Sequence, residues 1–248
     1  HSGYCMTCPT CLSGDHNMCA KAAGTIVGRH GGFADRVRAD AVSVIPLPEG
    51  VDPASAGPLF CGGITVFNPL VQFGMSPTGH VGVIGIGGLG HLALQLSQDL
   101  GAKTTAVDLG EDRLQVARSM GVHQAIDALR EDAVSLLSAE GGPHVAVVTA
   151  PTEAAYDLAL RTLRRRGPLV VVGLPSQALR LVADDIATGE FRILGSAVGT
   201  RDDLRQTLEL AAARKLLCHT ETYPLEAINE VFSRMRRNEI TGRAVLTF

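Results

Sequence analysis

The sequence predicts an α/β fold with a doubly wound parallel sheet and a smaller β-rich region. Composition is one reason, because the 248 residues are 46% hydrophobic and only 4% aromatic, with 28 glycines and no tryptophan. This suits glycine-bearing turns that join short Val/Ile strands to Ala/Leu helices. The second reason is a strand-turn-helix pattern that recurs at regular spacing from about residue 79, as it does in parallel sheets.

Short apolar segments predict six strands, at residues 81–85, 104–108, 124–127, 145–149, 169–173 and 192–196. Most of the intervening stretches have apolar residues at helical spacing, which predicts helices at residues 91–100, 112–120, 133–139 and 154–163. The connection between residues 174 and 191 is less clearly helical. Six strands with intervening helices indicate a doubly wound sheet.

The two ends of the chain differ from this pattern. Near the start, residues 31–38 and 41–46 form β-like stretches broken by Gly and Pro, which indicates part of a β-rich domain. The last fifty residues predict helices at 202–213 and 225–237 and a strand at 244–248. We therefore expect three regions: a β-rich domain remnant (1–62), a dinucleotide-binding domain (63–198) and a return to the first domain (199–248).

Charge and hydropathy exclude several classes of protein. The formal net charge is −3, and the densest basic run, Arg164 to Arg166, is typical of a solvated helix end. Nucleic acid is therefore not an expected partner. The sequence contains neither an apolar run of membrane-spanning length nor a signal peptide, which predicts a cytoplasmic protein.

Four cysteines lie within fifteen residues near the start of the chain: Cys5, Cys8, Cys11 and Cys19. Pro9, Gly14 and Asn17 supply the turns that a compact lobe needs. Four thiolates complete a closed tetrahedral shell around zinc, which predicts a structural rather than a catalytic metal site. Two disulfides or free thiols are the alternatives, and a reducing compartment disfavours the disulfides.

A glycine-rich motif follows the predicted strand 81–85 and opens the next helix. Its residues are Gly85, Ile86, Gly87, Gly88, Leu89 and Gly90. In this context the first glycine permits a tight turn, Gly87 lets the backbone approach a pyrophosphate, and Gly90 lets the helix pack on the sheet. The motif predicts a Rossmann dinucleotide site, the alternative being a merely glycine-rich turn.

An acidic residue at the expected distance supports this interpretation. Asp108 ends the second predicted strand, where its carboxylate would accept hydrogen bonds from the adenosine ribose hydroxyls. Its charge would repel a 2′-phosphate, so NAD(H) is favoured over NADP(H), although Arg113 could soften this preference. His91, beside the motif, is interpreted as a packing or phosphate-proximal residue without a chemical role.

Together these motifs resemble the zinc-dependent medium-chain alcohol dehydrogenases, including bacterial and cinnamyl-alcohol-dehydrogenase-like members. The resemblance covers the whole chain and depends on the order of its segments: the four-cysteine lobe, residues 31–34, 57–66, the glycine motif with His91, and residues 242–248. It implies a Rossmann domain beside a GroES-like catalytic domain. It also implies hydride transfer between an alcohol or aldehyde and NAD(H).

The resemblance assigns roles to residues outside these motifs. It implies that Cys61 is one of three protein ligands to a catalytic zinc, which polarises a carbonyl or lowers the pKa of a bound alcohol. By chemistry alone Cys61 could instead be a buried apolar thiol. Thr65 would pack by the nicotinamide ring, and backbone groups of Val172, Ser196 and Val198 would hold its carboxamide. Arg243 would reach the pyrophosphate, or be an exposed charge before an edge strand.

The sequence departs from the family pattern in one respect. The other two catalytic-zinc ligands, a Cys and a His followed by Glu, and the hydroxyl residue of the proton relay should precede the four-cysteine lobe. Only residues 1–4 do so, and we expect that on the order of a hundred residues of a catalytic domain are absent. The remaining histidines form no metal-spaced pair, and Cys218 beside His219 is interpreted as a core thiol beside a surface imidazole. One zinc per chain is therefore expected.

Several functions stay open at this level. The favoured one is an NAD-dependent alcohol dehydrogenase or aldehyde reductase that assembles as a homodimer or homotetramer. The alternatives are a truncated, non-catalytic fragment that binds zinc and NAD, a zinc-independent quinone reductase, and a redox- or zinc-responsive regulator. Quinone reductases of this fold generally lack a four-cysteine lobe, and a regulator leaves the glycine motif unexplained.

Overall fold

The structure is a computed structural model that describes residues 2–24, 30–72, 79–213, 216–237 and 239–248. Its strands are β1 (Ser2–Gly3), β2 (Ala23–Gly24), β3 (His80–Ile84), β4 (Lys103–Asp108), β5 (Gln124–Asp127), β6 (Val145–Val148), β7 (Pro168–Val171), β8 (Arg192–Gly195), β9 (Thr220–Pro224) and β10 (Arg243–Thr247). Its α-helices are α1 (Pro9–Leu12), α2 (Pro53–Ala56), α3 (Gly62–Gln72), α4 (Gly90–Asp99), α5 (Glu111–Ser119), α6 (Ala133–Ser138), α7 (Glu153–Thr162), α8 (Ala183–Gly189), α9 (Arg201–Ala212) and α10 (Ile228–Arg236).

The chain divides into two compact units. The first joins His1–Asn68 to Ala197–Phe248, and the second is Pro69–Ser196. The domain boundaries expected after residues 62 and 198 stay a prediction, and the divisions between the two units follow Asn68 and Ser196. The division after Asn68 falls inside α3, so this helix contributes residues to both units.

The second unit is built on a six-stranded parallel sheet in the order β5-β4-β3-β6-β7-β8. This confirms the predicted doubly wound sheet, and each predicted strand agrees with the observed one to within two residues. The strands β3 and β6 are buried at every position, which is typical of parallel strands covered on both faces. Because β3 pairs with both β4 and β6, the strand order reverses at β3, where ligands bind in such sheets.

Helices α4 to α7 agree with their predicted positions, and local sequence explains where two of them begin. The side chain of Asp132 accepts a hydrogen bond from the Ser135 N–H at the start of α6, and Thr152 caps α7 through the Ala155 N–H. The less clearly helical connection contains α8, which ends where Glu190 adopts a left-handed conformation. Tyr156 of α7 packs in the core and donates its hydroxyl to the Gly173 carbonyl.

In the first unit, the β-like stretches expected from the sequence are not strands. Residues 31–38 form bends and coil rather than a strand, and residues 41–46 contain only the 3₁₀ turn Ala41–Ser43. Neither stretch pairs with a strand in the parts of the chain that the structure describes, and a β-favourable pattern forms a strand only when a partner completes its hydrogen bonds. The sheets of this unit are the pairs β1-β2 and β9-β10.

The C-terminal region largely follows its predictions. Helix α9 and strand β10 lie where they were expected, and the predicted helix 225–237 is a 3₁₀ turn, Leu225–Ala227, followed by α10. The sequence analysis missed β9, the parallel partner of β10. It also missed α3.

Among the described residues, no single helix has the length and apolar composition needed to cross a membrane. Only the bent pair Pro53–Phe60 and Gly62–Gln72, with 54° between its halves, meets both criteria together. This pair contributes Leu59, Val66 and Leu70 to the buried core.

Candidate functional site

The four cysteines of the N-terminal lobe converge in space. Their Sγ atoms all lie within 4.8 Å of one another, with 3.9 Å between Cys5 and Cys11 and 3.9 Å between Cys8 and Cys19. A tetrahedral zinc with Zn–S bonds of about 2.3 Å separates its sulfurs by about 3.8 Å, whereas disulfide sulfurs lie about 2.05 Å apart. The lobe therefore fits a four-thiolate zinc site, and its cysteines form no disulfide.

Short turns bring the thiols together. Pro9 begins α1 directly after Cys8, and Gly14 turns the chain with a φ of +96°. The 3₁₀ turn His16–Met18 then leads into Cys19. Backbone N–H groups also face the sulfurs, since Cys8 donates to the Cys5 Sγ at 3.3 Å.

The thiols of the lobe differ in acidity. The backbone N–H of Thr7 holds the pKa of Cys5 at about 5, and the Thr10 hydroxyl lowers the pKa of Cys8. Burial raises the pKa of Cys11 to about 12. Because zinc binds thiolates, a zinc ion would bind these sulfurs with release of the protons that they carry.

The glycine-rich loop between β3 and α4 contains glycines with different tasks. A Cβ atom on Gly85, whose φ is +96°, would lie 2.7 Å from the Ala150 nitrogen, and one on Gly90 would lie 1.8 Å from the Gly85 oxygen. Both positions therefore require glycine for the fold itself. A Cβ on Gly87 would meet no atom within 4 Å. The space beside Gly87 is open, as the approach of a pyrophosphate requires.

Asp108 lies at the carboxyl end of β4, directly beside this loop. Its side chain accepts hydrogen bonds from the backbone N–H groups of Ile86 and, at 2.6 Å, Leu109, and Arg113 lies 3.4 Å away. An ionised carboxylate offers about four acceptor positions, so one remains for a ribose hydroxyl. The carboxylate also fixes the glycine loop, a role that the sequence analysis missed.

Two further side chains support the loop. The Nδ1 atom of His91 lies 2.9 Å from the Gly87 carbonyl oxygen, and its ring is buried at the start of α4. Thr149, just beyond β6, donates its hydroxyl to the Gly85 carbonyl at 2.6 Å. His91 is thus part of the scaffold, as its interpretation as a packing residue predicted. Thr149 carried no recognisable signal in the sequence.

Val172 and Ser196 follow neighbouring strands of the sheet. The Val172 N–H donates to the Val148 carbonyl at 3.2 Å, and the Ser196 N–H donates to the Val171 carbonyl at 3.4 Å. Both residues therefore lie at the carboxyl edge of the sheet, the edge that also carries the glycine loop and Asp108.

In the first unit, Cys61 connects the 3₁₀ turn Gly57–Phe60 to α3, and its side chain is exposed. Within the residues that the structure describes, the Cys61 thiol is therefore not part of the apolar core. Thr65 lies one helical turn further on and donates its hydroxyl to the Cys61 carbonyl at 2.6 Å. Among the described residues, the cluster of three or more potential metal ligands is the four-cysteine lobe. Cys61 does not belong to this cluster.

Val198 and Arg243 also belong to the first unit. Val198 has a φ of +58°, a left-handed conformation that is rare for a β-branched residue. Asn68 of α3 donates its amide to the Val198 carbonyl at 3.2 Å. Arg243 begins β10, is half-buried, and its charge lies near the Cys218 thiol, whose pKa burial raises to about 11. The half-burial of Arg243 argues against a merely exposed charge.

Among the described residues, the other histidines lie outside the group of converging ligand side chains. His80, at the opposite edge of the sheet, is buried and bonded to the Thr105 hydroxyl at 2.8 Å, and its backbone N–H donates to the His144 ring. A cavity of about 290 Å³ lies beside it, lined by His80, Lys103, His123, Gln124, Leu136, Leu137, Ala139 and Glu140. Cys218 is buried and His219 is exposed, as expected for a core thiol beside a surface imidazole.

Known proteins provide an independent comparison. Residues 88–213 match the family model described as zinc-binding dehydrogenase. An aldehyde reductase, AdhA, from Synechocystis sp. is 40% identical over 247 residues, which span 100% of this chain and 73% of that protein. An alcohol dehydrogenase from Geobacillus stearothermophilus is 38% identical over 98% of this chain and 72% of its own length.

Solved structures agree with these relatives. The alcohol dehydrogenase of the archaeon Aeropyrum pernix has a TM-score of 0.93 and 30% identity, covering 100% of this chain and 74% of that one. Acetophenone reductase from Geotrichum candidum, in complex with NAD, has a TM-score of 0.91 and 28% identity, covering 99% and 71%. The similarities favour neither a quinone reductase nor a regulator. The chain therefore belongs to the zinc-binding dehydrogenase family and is an oxidoreductase of alcohols or aldehydes.

Proposed function

We propose that this protein interconverts an alcohol and its aldehyde with NAD(H) as the hydride carrier and zinc as its metal. The observation that carries the choice of cofactor is the buried carboxylate of Asp108, which ends β4 beside the open Gly87 backbone. A 2′-phosphate would bring further negative charge to that carboxylate. The adenosine ribose of NAD(H), with two free hydroxyls, suits it better.

The cofactor-binding residues follow from this edge of the sheet. Backbone N–H groups of the loop formed by Gly85, Gly87, Gly88, Leu89 and Gly90 would hold the pyrophosphate at the start of α4. Asp108 would bind the ribose, with Arg113 as its neighbouring cation. By family resemblance, Arg243 would also contact the pyrophosphate, and backbone groups of Val172, Ser196 and Val198 would hold the nicotinamide carboxamide.

Two zinc roles are proposed. Cys5, Cys8, Cys11 and Cys19 would hold a structural ion, since four thiolates leave no coordination position for a substrate. In the intact protein, Cys61 would be one of three protein ligands of a catalytic ion, and its exposed side chain is consistent with that role. Within residues 1–248 the lobe accounts for the one zinc expected per chain. Bound NAD(H) supplies or accepts the hydride, and a zinc ion at Cys61 would polarise the substrate oxygen. Thr65, bonded to the Cys61 carbonyl, would pack by the nicotinamide.

Assembly and location complete the proposal. Strand β8 lies at the edge of the six-stranded sheet, and pairing of two such edges across a two-fold axis supports a homodimer or a homotetramer. A reduced four-thiol zinc lobe suits a reducing compartment, so we infer a cytoplasmic location. The domains would be those predicted from the sequence, with residues 63–198 binding the cofactor.

The decisive experiment compares the two cofactors on one protein. Steady-state reduction of a panel of aliphatic and aromatic aldehydes would be measured with NADH and with NADPH, and the bound metal would be quantified in the same preparation. We expect kcat/KM to be at least tenfold higher with NADH, and zinc to be the metal retained. Equal efficiency with both cofactors would contradict the role of Asp108, and a zinc-free active protein would contradict both metal roles.

A further inference from the structure

We propose that Asn17 and Asn68 form an amide clamp on the backbone carbonyls of Ala197 and Val198, which fixes the turn that presents Val198 to the nicotinamide. The inference rests on the proposed function, in which the Val198 backbone holds the carboxamide. Neither asparagine is a zinc ligand, and neither would touch the reacting atoms. Both are positioning residues.

The Asn68 side chain acts through its hydrogen-bond donor rather than through apolar packing. It is only 3% exposed, and its Nδ2 atom donates to the Val198 carbonyl at 3.2 Å. Its Oδ1 atom is buried and has no hydrogen-bond partner within the described residues. A buried acceptor without a partner destabilises a fold, so a leucine would fill this space at a lower cost. The amide is explained by the carbonyl that it holds.

The held carbonyl belongs to a backbone that requires support. Val198 has a φ of +58°, a conformation that persists in a β-branched residue only where the surroundings impose it. Gly199 follows in close contact with α3, since a Cβ there would lie 2.7 Å from the Ile64 Cγ1 atom. Thr200 then caps α9 through a reciprocal bond with Asp203. The turn is thus anchored by Asn68 before it and by the α9 cap after it.

Asn17 adds the second arm of the clamp from the four-cysteine lobe. It lies in the 3₁₀ turn His16–Met18, between Cys11 and Cys19, and its Nδ2 atom donates to the Ala197 carbonyl at 2.9 Å. Two consecutive carbonyls are therefore held by amides from two different elements. The lobe that would bind structural zinc is directly connected to the turn that would position the cofactor.

The test measures binding of NADH and of ADP-ribose to the full protein. ADP-ribose lacks the nicotinamide, so a loss at the carboxamide affects NADH alone. For Asn68→Leu we expect NADH to bind roughly five- to tenfold more weakly, as for one lost hydrogen bond, with ADP-ribose binding unchanged and the urea midpoint not lowered. For Asn17→Ala we expect a two- to threefold loss for NADH alone. Asn229→Ala, an exposed position on α10, is the matched control and should change neither affinity.

The possible outcomes distinguish failure of the clamp proposal from failure of the proposed function on which it rests. Wild-type protein that binds neither NADH nor ADP-ribose would refute the proposed function. Wild-type protein that binds both, with Asn68→Leu and Asn17→Ala also binding NADH normally, would overturn the clamp alone. Equal weakening of both ligands in the variants would overturn it too, because it would show a general structural role. If Asn68→Leu does not fold, Asn17→Ala and faster amide hydrogen exchange at residues 197–200 decide the question.

Discussion

Asp108 accepts a hydrogen bond from the backbone N–H of Ile86, so the carboxylate that would bind the ribose also fixes the glycine-rich loop. Cofactor choice and loop order therefore depend on the same side chain. Its substitution should change two quantities that measurements can separate, namely the absolute affinity for either cofactor and the ratio between the cofactors.

Replacing Asp108 with Ser should relax the preference for NAD(H). The change removes the charge that repels a 2′-phosphate and leaves Arg113, 3.4 Å from the carboxylate, able to contact that phosphate. We expect the NADH to NADPH ratio of kcat/KM to fall at least tenfold, while both affinities decrease because the loop loses its anchor. Asp127→Ser is a matched control, since Asp127 is a buried carboxylate opposite Asp108 on β5. A ratio that stays constant in Asp108→Ser would refute the assignment.

The glycines of the loop offer a paired test of binding against folding. Gly87→Ala adds a methyl group where no atom lies within 4 Å, so the fold should tolerate it, whereas NADH binding should weaken at least tenfold. Gly90→Ala places its methyl group against the Gly85 carbonyl oxygen and should lower the free energy of unfolding by about 3 kcal/mol. Thermal unfolding and NADH titration measure the two effects. Normal NADH binding by Gly87→Ala would show that the open space beside Gly87 does not hold the cofactor.

Removing one of its four thiols should prevent the lobe from holding zinc. Cys11 is a buried member of the four-sulfur cluster, so Cys11→Ser should release the structural zinc and expose the lobe to proteolysis. Cys218→Ser also removes a buried thiol but lies outside the cluster, and it should retain the metal. Metal analysis after dialysis against a weak chelator measures the difference. Equal zinc content in the two variants would show that the lobe does not hold the ion.

His80 should make the protein sensitive to acid. Burial and the charge of Lys103 lower its pKa to about 4 from an ordinary value of 6.5, with smaller effects of Glu140, which raises it, and of His144 and His123, which lower it. The unfolded chain therefore binds this proton at a higher pH than the folded chain. Its contribution to stability is complete above pH 6.5 and is lost as the pH falls toward 4, by about 3 kcal/mol in total.

Urea unfolding between pH 7 and pH 4 measures this loss, and a substitution isolates it. His80→Gln retains a polar partner for Thr105 but cannot gain the proton, so its stability should fall less with acid by about the same amount. The exposed His30→Gln variant is the control and should keep the wild-type dependence. If His80→Gln follows the wild-type curve, burial of His80 is not the origin of the acid sensitivity.

The sequence predicted the second unit well because the local residue pattern of each strand and helix is enough to identify it. Strands such as β6 are continuous runs of buried apolar residues, and turns with glycine or aspartate separate them from amphipathic helices. The first unit depends on contacts between distant segments. Strand β9 contains Thr220, Glu221 and Pro224, which do not form an apolar strand pattern. It forms because β10 pairs with it. Helix α3 was missed because two glycines begin it and Pro69 lies within it.

The candidate site shows the same division. The cysteines, the glycine motif and Asp108 were identifiable because their spacing along the chain is typical of zinc and dinucleotide sites. The supporting groups were not, since Thr149, Asn17 and Asn68 are single polar residues whose partners lie 64, 180 and 130 positions away. The left-handed Val198 was equally invisible, because a valine in a sequence predicts an extended backbone.

The hydrogen bond from Asn17 to the Ala197 carbonyl has a thermodynamic consequence. Coupling between two ligands is reciprocal, so whatever factor zinc adds to NADH affinity through this bond, NADH must add to zinc affinity. A protein saturated with its nucleotide should then bind the lobe metal more tightly, so that a higher chelator concentration is needed to remove it at equilibrium. The cellular supply of the cofactor would in this way protect the metal lobe against loss.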